Sequence, residues 1–136
     1  MAVISELIRS EEDGTISFGD YTRSAKAKLD NYEHQGAVYK VKTCREITKL
    51  ERNGMFVYES VPGTSVTGLR ATDEGVAFLV EGPEDAQLTV GLEDNAEYEI
   101  LVQGASAGNM KTGLGGKLSI SVELGENPVE VRIQKC

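Results

Sequence analysis

The chain has 136 residues, enough for one domain or two very small ones. Its 22 acidic and 14 basic residues give a formal net charge of −8, and no run of five or more basic residues offsets that charge locally. An acidic surface repels nucleic-acid phosphates and anionic lipids, so neither nucleic acid nor membrane is an expected partner. The hydrophobic content of 40%, with no Trp, predicts a real and mainly aliphatic core.

The N-terminal segment and the cysteines bear on location. The first ten residues contain Glu6 and no basic stretch, so they do not match a secretory leader, and no segment approaches membrane-spanning length. Cys44 and Cys136 form no metal motif. We interpret both as free thiols, with a single long-range disulfide as the alternative. A cytoplasmic location is expected.

In the first part of the chain, four segments carry secondary-structure signals. Residues 1–10 are apolar in patches and predict an edge strand or a short helical turn. Residues 15–21 predict a strand. Residues 24–29 fit a short helix or a strand that enters a hairpin, and residues 45–52 fit a hairpin strand or two helical turns. For 45–52 we prefer the strand, because the run is short and a clear strand follows it.

The pair Gln35-Gly36 predicts a β-hairpin with a two-residue loop. Counting outward from that loop places Tyr32 opposite Tyr39 and His34 opposite Ala37. Cross-strand aromatic pairs of this kind stabilise a sheet by roughly 0.2–1 kcal/mol.

A second hairpin is predicted at Asn53-Gly54, the preferred sequence for a type I′ turn, since both central residues need positive φ. The same counting places Leu50 opposite Val57 and Lys49 opposite Tyr58.

The second half of the chain alternates apolar and polar residues with period 2, which marks half-buried strands. Five such runs occur, at 76–80, 88–90, 98–102, 118–122 and 129–133. Breaks that carry Gly, Asp, Asn or Pro separate them, and 113–116 is expected to close a hairpin. The chain is therefore predicted to be all-β, an antiparallel β-sandwich or barrel-like fold with roughly nine or ten short strands.

The turn at residues 61–64 is the best candidate for a domain boundary. It would divide the chain into an N-terminal β-hairpin or sheet region, 1–62, and a C-terminal β-sandwich region, 63–136. One continuous domain is the alternative.

The sequence carries no signature of a catalytic, cofactor or metal site. His34 is the only histidine, and no Gly-x-Ser-x-Gly motif accompanies it. The glycine-rich segments 104–108 and 113–116 do not match a phosphate-binding loop. The acidic turns lack EF-hand spacing. We therefore predict no catalytic residue, no cofactor and no metal ligand.

Aromatic side chains and the one histidine are the only candidates for ligand binding. Sugar-binding surfaces rest on exposed rings, and this chain has no Trp to supply one. We therefore assign Tyr32, His34, Tyr39 and Tyr58 as candidate glycan-binding residues, with Tyr32 and Tyr39 as the stacking pair.

Segments 98–104, 110–122 and 129–133 resemble the small terminal β-sandwich domains attached to many polysaccharide-active enzymes. The resemblance covers about half the chain and consists mostly of strand and turn pattern. It implies an accessory carbohydrate-binding role.

Segments 39–43, 46–50 and 58–64 resemble a family of small bacterial all-β proteins that often carry the label endosialidase. That resemblance implies activity on glycans. Sialidase-type sites lie on larger scaffolds with Ser-x-Asp-x-Gly-x-Thr-Trp repeats, and this chain has no such repeat. No catalytic residue carries over.

The function expected first is that of a non-enzymatic structural or interaction protein that self-associates through strand edges or sheet faces. The N-terminal half is short for an independent core, and strands need covered edges. The candidate interface residues are Met55, Val57, Val129 and Val131, and a homo-oligomer is the expected assembly. An accessory carbohydrate-binding module with a glycan partner is the alternative, and a glycan-active enzyme ranks last.

Overall fold

The computed structural model describes residues 3–136, which form strands and loops and contain no helix. The strands, in chain order, are β1 Ile8–Ser10, β2 Ile16–Phe18, β3 Ala27–His34, β4 Ala37–Thr43, β5 Thr48–Arg52, β6 Met55–Val61, β7 Ser65–Thr72, β8 Gly75–Glu81, β9 Ala86–Gly91, β10 Glu97–Val102, β11 Ala105–Lys111, β12 Lys117–Val122 and β13 Val129–Lys135. The predicted all-β class is confirmed. The expected nine or ten strands were too few, because β7 and β11 lack clear apolar alternation.

Two antiparallel sheets form the molecule. Sheet A has the order β1-β2-β7-β8-β13-β10-β11, and sheet B has the order β12-β9-β6-β5-β4-β3. They form a sandwich that does not close into a barrel. Each sheet takes strands from both sides of residue 62, and one cluster of buried side chains includes residues from both halves.

Three hairpins turn through two residues that both have positive φ, at Gln35-Gly36, Asn53-Gly54 and Gln103-Gly104. This is the geometry of a type I′ turn, whose twist matches that of the flanking strands. Segments 24–29 and 45–52 resolve as strand rather than helix, since β3 begins at Ala27 and β5 at Thr48.

The two pairs predicted for the β3–β4 hairpin are confirmed: Tyr32 pairs with Tyr39, and His34 with Ala37; beyond Tyr32 a bulge shifts the register by one residue. The register predicted for β5–β6 was wrong beyond the turn. Leu50 pairs with Tyr58 and not with Val57, because a β-bulge at Val57 inserts one extra residue into β6.

That bulge decides which face Tyr58 occupies. Without it, Tyr58 would share the outer face of the sheet with Lys49; with it, Tyr58 lies beside Leu50 in the core. The ring centroid of Tyr58 is 5.3 Å from that of Phe18 on β2 and 5.6 Å from that of Phe78 on β8, both in edge-to-face geometry. Tyr58 thus joins the two sheets at the centre of the sandwich.

The segment 113–116 does not close a hairpin, contrary to the expectation. It lies between β11 of sheet A and β12 of sheet B, so the chain crosses from one sheet to the other there. The strand that pairs with β10 in a hairpin is β11. As a result, this short connection joins β11, an edge strand of sheet A, to β12, an edge strand of sheet B.

Candidate functional site

The predicted ligand-binding residues divide into two groups. Tyr32, His34 and Tyr39 lie together on the inner face of the β3–β4 hairpin, where the His34 and Tyr39 rings meet edge to face at 6.0 Å. Tyr58 is fully buried at the centre of the core. Burial raises the pKa of the Tyr58 phenol, and its hydroxyl lies 2.7 Å from Thr64 Oγ1. Tyr58 therefore has no surface to offer a ligand.

Both ring nitrogens of His34 are engaged within the chain. Nε2 lies 3.0 Å from the carbonyl oxygen of Gly14, and Nδ1 lies 2.7 Å from Ser10 Oγ. The hydroxyl of Tyr32 lies 2.9 Å from that same Ser10 Oγ. In the neutral ring, Nε2–H donates to the carbonyl, so Nδ1 accepts from the Ser10 hydroxyl. His34 thereby ties the end of sheet B to β1 and to the turn before β2.

A cleft of about 440 Å³ opens beside His34. Its lining includes His34, Tyr39, Arg52, Arg70 and Asp73. The Arg70 guanidinium donates to the Asp13 carbonyl at 3.2 Å and lies 3.9 Å from the Asp13 carboxylate. The cleft therefore carries charges of both signs, with one of its two arginines already paired.

The acidic turn at residues 11–13 is held by the chain's own donors. Ser17 Oγ donates to the Glu11 carboxylate at 2.5 Å, and Arg9 pairs with it at 3.0 Å. The Ser17 hydrogen bond first, and Arg9 second, hold the pKa of Glu11 below its usual value.

Within residues 3–136, no three or more His, Cys, Asp or Glu side chains are grouped to hold a metal ion. Cys44 is buried and Cys136 is exposed, both as free thiols.

The predicted interface residues lie on interior strands. β6 is flanked by β5 and β9, and β13 by β8 and β10, so neither strand has a free edge. Val131 is fully buried and Val129 nearly so, because their side chains face this chain's own core. Met55, which begins β6, is 72% exposed, and Val57 at the bulge is half-buried.

The strand with the most open surface is β11, which sequence reasoning missed. It forms the last strand of sheet A, pairs only with β10, and all seven of its residues are exposed. Its sequence is Ala-Ser-Ala-Gly-Asn-Met-Lys, with one charge, at Lys111. The signal that points to it is the Gln103-Gly104 turn, which requires a partner strand on its far side.

The connection that follows β11 adds apolar surface. Leu114, between β11 and β12, is 91% exposed, and Met110 on β11 is 40% exposed. They are two of the six large apolar side chains that stand exposed within the described part of the chain. One side of the sandwich thus combines the open edge strand with uncovered apolar groups.

Comparison of the chain with protein-family models, curated proteins and solved structures gave no match. Among the residues described, no helix is long and apolar enough to cross a membrane. The function is therefore inferred from the geometry of the molecule itself.

Proposed function

We propose that this protein is a non-enzymatic interaction protein that self-associates through a strand edge, and that the edge is β11. The single observation that carries the proposal is that β11 is a seven-residue edge strand, exposed along its whole length and charged only at Lys111. An open edge presents unpaired N–H and C=O groups that template pairing with another strand.

Two of the other three sheet edges, β1 and β3, are better protected. The third, β12, is charged only at Lys117, but its residues alternate between buried and exposed, whereas β11 is exposed throughout. β1 has only three residues. β3 is interrupted by a register shift between Leu29 and Tyr32, where Asn31 has positive φ, and it carries Lys28, Asp30 and Glu33. Short length, bulges and charges are the devices that discourage edge pairing. β11 has a bulge near Gly108 but no charge before its last residue.

Pairing of β11 with β11 of a second copy fits a two-fold axis. Antiparallel pairing of one strand with itself is self-complementary, which is what an isologous dimer requires. Met110 and Leu114 lie at that side and would lose solvent contact in the dimer. Their burial adds apolar area to the main-chain hydrogen bonds of the new ladder.

The test is the solution mass of the full chain, by size-exclusion chromatography with light scattering in reducing buffer. We expect a dimer at twice the chain mass of 14.7 kDa. Met110→Lys should yield a monomer, because a lysine on an edge strand discourages pairing with another strand.

Leu79→Lys is the matched control. Leu79 is 39% exposed against 40% for Met110, and it receives the same new charge, but it lies on β8, an interior strand of the same sheet. It should leave the mass unchanged. A monomeric wild-type chain at all concentrations, or equal dissociation by both variants, would overturn the proposal.

A further inference from the structure

Three lysines stand in a row across neighbouring strands of sheet B. Lys28 on β3 pairs directly with Lys42 on β4, and Lys42 pairs directly with Lys49 on β5. Directly paired residues project from the same face of a sheet. Val41 and Leu50, the next residues along their strands, are fully buried, so the lysine row lies on the outer face. Strands lie about 4.8 Å apart, so the row brings three cations within about 10 Å.

The compensating charge lies at one end of the row only, where Glu59 on β6 is directly opposite Lys49. No carboxylate lies within 4.0 Å of the ammonium groups of Lys28 and Lys42 in the described chain, nor of Lys40, which precedes Lys42 by two residues on β4 and shares its face. Lys49 lies 3.8 Å from the Glu51 carboxylate. This occurs in a chain with 22 acidic residues, where acidic partners for surface lysines are plentiful. Like charges directly opposite one another destabilise a sheet, so the fold retains an arrangement that opposes its own stability.

We propose that this lysine row is a binding site for a linear acidic polysaccharide that lies across the strands of sheet B. A polymer with regularly spaced carboxylate groups would neutralise the row and remove the repulsion. The inference is independent of self-association through β11. The short connection 112–116 joins β11 to β12, and β3, β4 and β5 lie at the opposite end of sheet B from β12.

The surface beyond the row favours a sugar polymer. Following the pairing onward from Lys49 leads to Glu59 on β6, Thr89 on β9 and Ser119 on β12. The hydroxyls of Thr89 and Ser119 lie 2.8 Å apart. All six strands thus contribute a polar side chain to one track about 24 Å long, from five strand spacings. Hydroxyls and a carboxylate beyond the lysines match the hydroxyl groups of a sugar chain.

Other polyanions fit this face less well. Single-stranded nucleic acid binds through aromatic rings on which its bases stack, and the track carries none. A duplex carries about one negative charge per 1.7 Å of its axis, which is much denser than lysines spaced about 4.8 Å apart can match. An acidic peptide would pair with a strand edge, whereas the lysine row runs across the strands.

The test uses a fluorescently labelled polygalacturonate oligosaccharide and the full chain, with binding followed by fluorescence anisotropy at low and high salt. We expect binding at low salt that weakens as salt rises. The variants Lys28→Gln and Lys42→Gln should each weaken it about tenfold, since each removes one of the aligned charges. Arg132→Gln is the matched control, with the same loss of charge on the exposed face of β13 in the other sheet.

Three outcomes would overturn the inference. These are no binding of polygalacturonate at low salt, an equal loss in Arg132→Gln, and tighter binding of oligothymidylate or polyglutamate by the same lysines. Thermal unfolding of each variant verifies that it is folded. Repeating the titration with Met110→Lys separates this inference from self-association, because loss of the dimer leaves the lysine row in place.

Discussion

Tyr58 on β6 and Thr64, in the connection from β6 to β7, share a buried hydrogen bond, with 2.7 Å between the phenol oxygen and Thr64 Oγ1. The same Thr64 hydroxyl lies 2.7 Å from Ser60 Oγ. All three side chains are buried, so their hydroxyls form hydrogen bonds with one another and not with water.

Thr64→Val should destabilise the protein more than Tyr58→Phe. The valine leaves the hydroxyls of Tyr58 and Ser60 without their shared partner, which costs about 1–3 kcal/mol for a buried polar group. Tyr58→Phe removes one bond and leaves Thr64 bonded to Ser60, for a loss of about 1 kcal/mol. Urea unfolding of the two variants measures the difference. Equal losses in the free energy of unfolding would contradict the role of Thr64 as the shared hydrogen-bond partner of Tyr58 and Ser60.

Stability should fall above pH 10, with Tyr58 contributing to the fall. Burial raises the pKa of Tyr58 in the folded chain above its ordinary value of 10.0, which the unfolded chain retains. Below pH 10 both states keep the proton, so the contribution of Tyr58 is complete there. Above pH 10 only the unfolded state releases it, and stability drops by up to about 1.4 kcal/mol per pH unit.

The variant Tyr58→Phe should therefore lose stability less steeply above pH 10 than the wild type. Urea unfolding at a series of alkaline pH values gives both slopes. Identical slopes would mean that the Tyr58 phenol has the same protonation state in the folded and the unfolded chain across this pH range.

Gly63→Ala should destabilise the fold strongly. A Cβ at Gly63 would lie 1.9 Å from the carbonyl oxygen of Cys44 and 3.2 Å from that of Arg45. Both are backbone atoms, so the clash requires the chain to move, and we expect a loss of about 3 kcal/mol. Gly125→Ala is the control, since a Cβ there meets nothing within 4 Å and should change stability by less than about 0.5 kcal/mol. Thermal unfolding compares them, and similar melting temperatures would refute the close approach.

Lys42→Gln should stabilise the protein, which is unusual for a substitution. Lys42 stands between Lys28 and Lys49, so its removal relieves two like-charge pairs, for a gain of about 0.2–1 kcal/mol. The gain should shrink in 1 M salt, where the screening length is about 3 Å. Chemical unfolding at low and high salt measures it. A loss of stability, or an equal gain in Arg132→Gln, would show that repulsion between the three lysines does not lower the stability of the fold.

Local pattern was sufficient for most strands and for the pairs of the β3–β4 hairpin that lie nearest its turn, up to the register shift between Leu29 and Tyr32. The apolar alternation around Phe78, Ile100 and Val131 identified three strands, because the period of a strand is a property of adjacent residues. The Gln35-Gly36 turn fixed its hairpin for the same reason. Beyond the Asn53-Gly54 turn the register failed, because the bulge at Val57 arises from the burial of Tyr58 against the other sheet.

Neither candidate surface was visible along the chain. The edge strand β11 has small polar residues and no alternation, and its exposure follows from its place at the end of sheet A. The alternation around Val131 predicts a half-buried strand but does not show that β13 lies between β8 and β10, with Val131 fully buried. Strand order depends on pairings between residues far apart in sequence, which no local pattern encodes.

The all-β class, most strand positions, the hairpin turns at Gln35-Gly36 and Asn53-Gly54 and the acidic charge could all be predicted from the sequence, because they depend on composition and on neighbouring residues. Which edges stay open and which charges meet depends on how distant strands pair. Lys28, Lys42 and Lys49 are dispersed in an acidic chain and form no basic run. They become one row because three strands pair in register, and that juxtaposition is set by the sheet.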